Sequence, residues 1–364
     1  MNRHRVVLLF GGRSSEHSIS CATAGGVLAA IDRDRFEVIP VGITRDGAFV
    51  LVEDDPARFA LDPEHLPEVV DNGTRVRWPE SAATRELRVQ DASGERSLGD
   101  VDVVFPILHG RFGEDGTIQG LFELIGLPYV GNGVLASAIG MDKHVTKSML
   151  DAAGIAVAPW VTISRRDWAG ERRDLWHRRA KALGLPAFVK PARAGSSVGV
   201  TKVSDWSELD RALEIAFAED DRALVESAVV GREIECGVLE DPAGGAPRVS
   251  VAGEVVVTGR DFYDFEAKYL GADGVDLVCP TELGEGERFE LERIAQQAFE
   301  AIGGEGLARV DVFLSGEGFV VNEVNTMPGF TPISMFPTCW LNSGLSYPEL
   351  ISELVDSGIA RGAR

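Results

Sequence analysis

The stretch RVDVFLSGEGFVVNEVNTMPGFTPIS, residues 309–334, predicts a β-hairpin whose polar side chains lie on one face. Its first strand carries Arg309 and Asp311 two residues apart, and its second strand carries Glu323 and Asn325 at the same spacing. Because successive side chains on a strand point to opposite faces, each pair shares a face, and the neighbouring valines turn to the core. The sequence SGEG at 315–318 supplies the turn.

Pairing of these two strands would gather Asp311, Glu323 and Asn325 beside Arg309. Oxygen donors of this kind are ligands that Mg²⁺ takes in proteins, with its other positions left to water and phosphate. A hairpin with one solvated polar face would show the same alternation. The loop at 325–334, which is rich in proline and glycine, favours a functional site because catalytic groups often lie on loops that leave rigid strands.

Composition limits the partners of the chain. A length of 364 residues predicts two or three domains. The net charge of −21, from 36 basic and 57 acidic side chains, repels nucleic acid and anionic membranes, so any phosphate site must be made positive locally. The apolar run at residues 6–10 is too short for a signal peptide, and no run approaches about 18 residues, which predicts a cytoplasmic protein without a membrane partner.

The four cysteines lie far apart in the sequence and show no paired spacing such as C-x-x-C. This pattern gives little support to a zinc site or a disulfide framework and predicts reduced, mostly buried thiols. Cys279, beside Pro280, is the candidate for a reactive thiol, although core packing is the commoner role of a free cysteine.

The N-terminal segment predicts the start of a doubly wound α/β domain. A buried strand at 5–10 runs into the glycine turn GGRSSEHSIS at 11–20, and a helix is expected from 21 to 31. The turn lacks the G-x-G-x-x-G spacing of dinucleotide sites. Glu16 could compensate the helix dipole or hold a substrate ammonium group. A second buried strand, at 101–108, delivers His109 at its carboxyl end, where open α/β sheets bind ligands.

The middle of the chain supplies positive charge and a flexible glycine-serine segment. Lys143 lies near the start of a predicted helix, and Lys190 ends the predicted strand AFVKP. The following segment, ARAGSSVGV at 192–200, suits a flap whose backbone N–H groups cover phosphates, although a plain hairpin turn would also fit. Glu226 and Glu233 could bind an adenine amino group or ribose hydroxyls, or could be surface charge. Residues 52–99 are a polar excursion with an extra hairpin and no assigned function.

Seven motifs, in this order, resemble those of the D-alanine:D-alanine ligase family of the ATP-grasp superfamily: GGRSSEHSIS, HGRFGEDGTIQG, GNGVLASAIGMDK, VKPARAGSSVGVTKV, FYDFEAKY, ARVDVF and NEVNTMPGFTPIS. The resemblance implies an α/β protein in which a doubly wound domain precedes an ATP-grasp fold. The expected limits are 1–139 for the N-terminal substrate domain, 140–224 for the central lid subdomain and 225–364 for the C-terminal catalytic subdomain. It also implies ligation of two D-alanines through D-alanyl phosphate, for peptidoglycan precursors, with ATP as co-substrate.

The resemblance further assigns roles to single residues. Asp311, Glu323 and Asn325 would bind two Mg²⁺ ions, for which Mn²⁺ can substitute, with Glu323 bridging them. The ATP-binding residues would be Lys143, Lys190, Ser196, Ser197, Glu226, Ser227, Ala228, Val229, Glu233, Phe262 and Lys268. Glu16, Ser196 and Tyr269 would hold the first D-alanine, Lys268 and Ser334 the carboxylate of the second, and Arg309 with the Gly329 N–H the oxyanion, with His109 near the substrates. A homodimer is usual in this family.

Two other functions are compatible with these motifs. The first is an ATP-grasp carboxylate–amine ligase with another acceptor, D-serine or D-lactate, against which Tyr269 argues because related D-lactate ligases carry a different residue in that loop. The second is a nucleotide-binding regulatory protein without turnover, against which the full set of phosphoryl-transfer residues argues. The two are distinguished by ADP release that depends on D-alanine.

Overall fold

The computed structural model describes residues 3–62, 65–257 and 274–362, and these residues form four β-sheets with helices packed against them. The strands are β1 (His4–Gly11), β2 (Phe36–Ile43), β3 (Phe49–Leu51), β4 (Arg75–Arg77), β5 (Glu86–Asp91), β6 (Gly94–Asp100), β7 (Val103–Ile107), β8 (Trp160–Ser164), β9 (Ala187–Pro191), β10 (Thr201–Val203), β11 (Arg222–Ser227), β12 (Arg232–Leu239), β13 (Arg248–Val257), β14 (Val275–Val278), β15 (Leu307–Ser315) and β16 (Gly318–Asn325). The α-helices are α1 (His17–Ala30), α2 (Thr117–Ile125), α3 (Val134–Met141), α4 (Lys143–Ala152), α5 (Arg165–Ala169), α6 (Arg173–Lys181), α7 (Leu209–Glu219), α8 (Glu285–Ala301), α9 (Met335–Asn342) and α10 (Tyr347–Arg361).

The first sheet has the strand order β3-β2-β1-β7, with β1 parallel to both β2 and β7. Residues 6–10 of β1 are completely buried, as expected for a parallel strand that is covered on both faces. The predicted strand, glycine turn and helix are therefore confirmed. Gly11 and Gly12 have positive φ angles of 89° and 100°, and a Cβ at Gly11 would lie 2.4 Å from the Ile43 carbonyl oxygen.

Helix α1 begins at His17, four residues before the predicted start at Cys21. The serine-rich segment favoured a turn, but His17, Ser18 and Ser20 are buried and bonded within the fold, so the helix extends through them. Glu16 consequently occupies the N-cap position. The excursion at 52–99 contains the three-stranded antiparallel sheet β4-β5-β6 and not the single hairpin expected.

The remaining two sheets face each other across the functional cleft. The second sheet has the order β10-β9-β11-β8, and helix α7 covers it. The third has the order β14-β13-β12-β15-β16, with antiparallel pairing throughout. The predicted hairpin is β15-β16: Arg309 pairs with Asn325 and Asp311 with Glu323.

The β15-β16 pairing shifts register after Asp311, where Asn322 is left as an extra residue on β16. A β-bulge of this type places two residues opposite one and re-aims the side chains that follow. It explains why Val321 and Val324, three residues apart, are both buried. A strand with unbroken alternation would have pointed one of them to solvent.

The first sheet and helix α10 share one hydrophobic core. Val6, Leu8 and Phe10 of β1 cluster with Leu350 and Leu354 of α10. On the opposite face of β1, Val7 and Leu9 pack in a separate cluster with the α2 side chains. No helix in the described ranges is both long and apolar enough to span a membrane.

Candidate active site

A cleft of about 620 Å³ lies between the N-terminal sheet, the Ser196 flap and the β15-β16 hairpin. Glu16 and His109 reach it from the loops after β1 and β7, Lys143 from the start of α4, and Lys190 from β9. The carboxyl ends of the parallel strands therefore face the same space as the polar face of the hairpin, as is usual in open α/β sheets.

The hairpin presents a dense charged cluster at the floor of this cleft. Arg309 donates two hydrogen bonds of 2.7 Å to the two oxygens of Asp311, and its Nε lies 3.1 Å from Glu235. Asn325 donates from Nδ2 to Asp311 Oδ2 at 2.9 Å. Glu235 lies on β12 directly opposite Asp311. The predicted convergence of Arg309, Asp311 and Asn325 is present, with Glu235 as an additional member.

Burial dominates the titration of this cluster. Removal from water raises the pKa of Asp311 to about 7, although Arg309 acts against this rise. Burial lowers the pKa of Arg309, but the carboxylates of Asp311 and Glu235 outweigh burial and bring that pKa well above its usual value. Arg309 is therefore a permanent cation that is held rigidly beneath the cleft.

Lysines and a single carboxylate form the next part of the cleft. Lys190 Nζ donates to Glu226 Oε1 at 3.0 Å and to Asn322 Oδ1 at 3.5 Å. Lys147, which is almost completely buried, lies 2.9 Å from the other oxygen of Glu226. Lys143 Nζ donates to the Ala194 carbonyl oxygen at 2.7 Å and lies 3.7 Å from Glu323. The lysines thus link the flap, the adjoining sheet and the hairpin.

The flap is held in a backbone conformation that L-amino acids seldom adopt. Ser196 and Ser197 have positive φ angles of 49° and 58°. The Ser196 hydroxyl donates to Glu16 Oε1 on the opposite side of the cleft. Strained backbone persists where surrounding contacts over-determine it, and such positions cluster at functional sites. The Ser196–Glu16 bond is the contact that closes the flap over this end of the cleft.

The end of the cleft beside Glu16 contains two further titratable groups. His109 donates from Nδ1 to the Met327 carbonyl oxygen at 3.2 Å, and its buried Nε2 has no hydrogen-bond partner among the described residues. Burial lowers the pKa of His109, so its ring is neutral and Nε2 is an acceptor. Burial and the nearby Glu16 raise the pKa of Glu114 to about 8, and Glu114 accepts a 2.6 Å bond from the Gly110 N–H.

Most residues that the sequence singled out line this one cleft. They are Glu16, His109, Lys143, Lys190, Ser196, Ser197, Glu226, Ser227, Val229, Glu233, Arg309, Glu323, Asn325, Gly329 and Ser334. Asp311 lies behind them, bonded to Arg309 and Asn325. Ala228 is not among the lining residues, and its N–H donates to the Pro186 carbonyl oxygen. Phe262, Lys268 and Tyr269 lie outside the described residues.

Four residues of the site were not predicted from the sequence: Glu114, Lys147, Glu235 and Asn322. Two of them carried a readable signal. Lys147 follows Lys143 by one helical turn, and Glu235 follows Glu233 by two positions on a strand, so each shares a face with a residue that was selected. Asn322 enters the cleft because of the β-bulge, and Glu114 because the 109–116 loop turns back on itself; neither feature has a sequence periodicity.

The described lining of the cleft is acidic overall, with seven glutamates against four lysine and arginine side chains. Near Arg309 the carboxylates of Asp311, Glu235 and Glu323 outnumber Arg309 and Lys143. A polyanionic ligand would be repelled from such a surface unless divalent cations accompanied it. The opposite end of the cleft is lined by Phe188, Phe313 and Val229, which suit the flat apolar faces of a nucleotide base.

The residue types at the hairpin are ones that bind Mg²⁺ in proteins. Asp311, Glu323 and Asn325 offer two carboxylates and an amide on adjacent strands, all hard oxygen ligands. Across the described ranges, no group of three or more histidine, cysteine, aspartate or glutamate side chains is arranged to hold a metal ion. The hairpin set contains two side chains of these types, Asp311 and Glu323, and its third donor is the amide of Asn325.

Comparison with known proteins places this chain in a family. Residues 5–132 match the family model described as D-ala D-ala ligase N-terminus, and residues 149–356 match the model described as D-ala D-ala ligase C-terminus. The chain is 54% identical over 366 residues to the D-alanine–D-alanine ligase of Kineococcus radiotolerans, with 98% of this chain and 97% of that protein covered.

Two solved structures have the same fold. The VanG D-Ala:D-Ser ligase from Enterococcus faecalis has a TM-score of 0.83 and 32% identity over 98% of this chain and 100% of that chain. The D-alanine-D-alanine ligase from Coxiella burnetii has a TM-score of 0.80 and 35% identity over 99% of this chain and 95% of that chain. The fold and cleft define an ATP-grasp protein with a doubly wound α/β sheet before it, which confirms the predicted fold class. Within that class, the chain belongs to the D-alanine–D-alanine ligase family.

Proposed function

We propose that the protein is an ATP-dependent ligase that joins two D-alanines to give D-alanyl-D-alanine for peptidoglycan precursors. The observation that carries this proposal is the position of the Arg309–Asp311 cluster opposite the Ser196–Glu16 bond, in one cleft of a chain that belongs to this ligase family. Residues suited to phosphoryl transfer then face Glu16, a carboxylate that can hold the ammonium group of an amino acid.

The first chemical step transfers the γ-phosphoryl group of ATP to a carboxylate oxygen of the first D-alanine, which gives ADP and D-alanyl phosphate. Lys143 and Lys190 contact the phosphates, and Glu226 with Ser227, Val229 and Glu233 lines the end where the nucleoside binds. Phosphoryl transfer needs alignment and charge neutralisation more than covalent help from the protein. We extend the ATP site to Ala228, Phe262 and Lys268 on the family resemblance.

Asp311, Glu323 and Asn325 would hold two Mg²⁺ ions, with Mn²⁺ as a substitute. When bound, these ions neutralise phosphate charge and orient the transferring group. Two residues of the chain support these ligands: Arg309 keeps Asp311 oriented, and Lys143 places a positive charge beside Glu323.

The second step forms the peptide bond. The neutral amine of the second D-alanine attacks the carbonyl carbon of D-alanyl phosphate. As the tetrahedral intermediate collapses, the C–O bond to the phosphorus-bound oxygen breaks and inorganic phosphate leaves with the proton that the amine nitrogen loses. Arg309 and the Gly329 N–H stabilise the oxyanion, and Glu16 with Ser196 orients the first D-alanine. The acyl phosphate would hydrolyse in water, so closure of the flap through the Ser196–Glu16 bond protects it.

The acceptor is the second D-alanine, whose carboxylate we assign to Ser334 and Lys268. Ser334 lies in the cleft, where its hydroxyl contacts that of Thr331 at 2.7 Å. Tyr269 favours D-alanine over D-lactate. Product analysis with D-alanine, D-serine and D-lactate offered together tests this assignment, and a dominant depsipeptide would refute it.

Three features of the organisation belong to the same proposal. The proposed domain boundaries are 1–139 for the substrate domain, 140–224 for the lid subdomain and 225–364 for the catalytic subdomain. The protein works in the cytoplasm, where ATP is available, and as a homodimer, which sedimentation in solution would test. Neither nucleic acid nor membrane is a partner, since the net charge of −21 opposes both.

The proposed activity is tested by ADP release in a coupled assay with D-alanine against L-alanine. We expect release with D-alanine and a matching amount of D-alanyl-D-alanine. ATP binding without release that depends on D-alanine would support a regulatory protein instead. Release with D-alanine but without dipeptide would indicate a ligase for another acceptor.

A further inference from the structure

Two of the cysteines lie close together behind one wall of the cleft. The Sγ atoms of Cys279 and Cys339 are 3.6 Å apart, although 60 residues separate them in sequence. Cys279 directly follows strand β14, and Cys339 lies within helix α9. All four thiols are free, but Cys21 and Cys236 are buried in two other parts of the core. The pair is therefore a local feature of the β14–α9 contact.

The two sulfurs have different surroundings. Cys339 is completely buried, whereas Cys279 is partly exposed and accepts a 3.7 Å hydrogen bond from Asn342 Nδ2. Contact with Cys339 and then Asn342 lowers the pKa of the Cys279 thiol, whereas contact with Cys279 and burial strongly raise that of Cys339. Because the thiolate is the nucleophile, the accessible member of the pair is also the one that reacts first.

The residues around the pair form the cleft wall. Val255, Met335 and Cys339 pack as one cluster with Cys279 against it. Val255 and Met335 also line the cleft, as does Leu277, two residues before Cys279. Helix α9 follows Ser334 directly, and Ser334 lines the cleft as well. A movement of either sulfur is therefore transmitted to side chains that face the substrates.

From this geometry we propose that Cys279 and Cys339 are a reversible oxidation site, at which a hydroperoxide joins β14 to α9 by a disulfide. The Cys279 thiolate attacks the peroxide, breaks the O–O bond and becomes a sulfenic acid while hydroxide, or the corresponding alkoxide, leaves. Cys339 then attacks the Cys279 sulfur, the S–O bond breaks, and water leaves with the thiol proton. One peroxide is reduced by two electrons and two thiols are oxidised, so the balance is complete. Thiol reductants reverse the bond.

Formation of the bond must move the cleft wall. A disulfide requires an S–S distance of about 2.05 Å, so the sulfurs approach each other by roughly 1.5 Å. A shift of about 1 Å in positioning groups can lower a rate by up to 100-fold. We therefore expect the oxidised protein to turn over on the order of tenfold more slowly, with recovery after reduction.

The test is peroxide treatment of the full-length protein, followed by alkylation and peptide mapping. We expect two of the four thiols to be lost and one cross-linked peptide, Cys279 to Cys339, to form. In Cys339→Ser we expect no cross-link and a sulfenic acid on Cys279 that dimedone traps. In Cys279→Ser we expect Cys339 to remain a thiol. Cys21→Ala, which alters a buried thiol elsewhere, should still cross-link.

Four intact thiols after treatment, or a cross-link between other cysteines or between two chains, would overturn the proposed site. Mapping of the wild-type protein gives this answer even if a variant fails to fold, and it does not depend on the proposed enzyme activity. Turnover is measured on the mapped sample before and after dithiothreitol. Complete cross-linking with unchanged turnover would overturn the connection to the cleft. The double variant Cys279→Ser/Cys339→Ser cannot form the bond, so peroxide should not change its turnover, and it serves as the control.

Discussion

Lys147 and Lys190 share one carboxylate: their Nζ atoms lie 2.9 Å and 3.0 Å from the two oxygens of Glu226. Lys190 lines the cleft, whereas Lys147 lies behind it, 5.5 Å from the centre of the Trp160 ring. Two cations on one anion leave a net positive charge where ATP phosphates are expected. We therefore expect Lys147 to act as a positioning residue that balances Glu226 and leaves Lys190 available to the nucleotide.

Replacement of Lys147 by Met should raise the KM for ATP on the order of tenfold with little change in the KM for D-alanine, and should lower the free energy of unfolding by about 1–3 kcal/mol. Steady-state kinetics and urea unfolding measure the two effects. In Lys147→Met/Glu226→Gln, the loss of stability should be smaller than the sum of the single losses. Lys181→Met, at an exposed position, is the control. Equal increases in both KM values would contradict this role.

Glu323→Gln should reduce turnover by at least about 100-fold while far-UV circular dichroism stays unchanged. Gln keeps the size of the side chain but removes the negative charge of the proposed metal ligand. Glu317→Gln, in the exposed turn of the same hairpin, should be fully active. The Mg²⁺ dependence of ADP release provides the second measurement. Near-normal activity of Glu323→Gln would refute the metal assignment.

Ser196→Ala should raise the KM for D-alanine roughly 10- to 100-fold, because the Ser196 hydroxyl donates to a carboxylate and such bonds contribute about 1.5–3 kcal/mol. Ser197→Ala keeps that bond and a similar backbone, so its effect should fall on the KM for ATP. The pair of variants thus separates the two ends of the flap. The same change in both variants would indicate a general loss of flap order.

The contribution of His17 to stability should decrease as the pH falls below about 6.5, because the fold holds His17 in its neutral form. The Val69 N–H donates to His17 Nε2 at 2.9 Å, so the proton is on Nδ1, which donates to the Gly12 carbonyl oxygen at 2.6 Å. Burial, the largest cause, lowers the pKa of His17 in the folded state, so the unfolded chain binds the proton first. Each such histidine contributes up to about 1.4 kcal/mol per pH unit between its folded and unfolded pKa.

Urea unfolding between about pH 5 and pH 7.5 measures this slope. His17→Gln should remove the His17 contribution from the slope. His109, whose pKa burial also lowers, adds in the same direction, whereas the raised pKa values of Asp311 and Glu114 add in the opposite direction. His65→Gln, at an exposed position, should leave the slope unchanged. A pH slope that is the same in His17→Gln as in the wild-type protein would contradict a neutral His17 in the folded protein.

The sequence predicted those parts of the site that depend on alternation along single elements. Arg309, Asp311, Glu323 and Asn325 were placed on one face of a hairpin, and the structure pairs them across it. The N-terminal strand and glycine turn were equally readable because buried parallel strands are continuous apolar runs. These features are local, so neighbouring residues specify them.

Features that depend on contacts between distant segments were not predictable in this way. The bulge at Asn322 depends on the pairing of β15 with β16, and Glu235 became part of the site because β12 lies beside β15. The early start of α1 depends on Ser20, whose hydroxyl donates to the Ile107 carbonyl oxygen, from β7. In each case a residue remote in sequence decides the local outcome.

The core shared by β1 and α10 has a consequence for synthesis of the chain. A ribosome releases residues 6–10 more than 300 residues before Leu350 and Leu354, which complete the hydrophobic cluster that β1 and α1 begin. Helix α1 can pack on β1 early, but their shared cluster stays incomplete until α10 has been synthesised, so the packing around residues 6–10 is completed late. Apolar surface that stays exposed during synthesis is the kind of surface that chaperones bind.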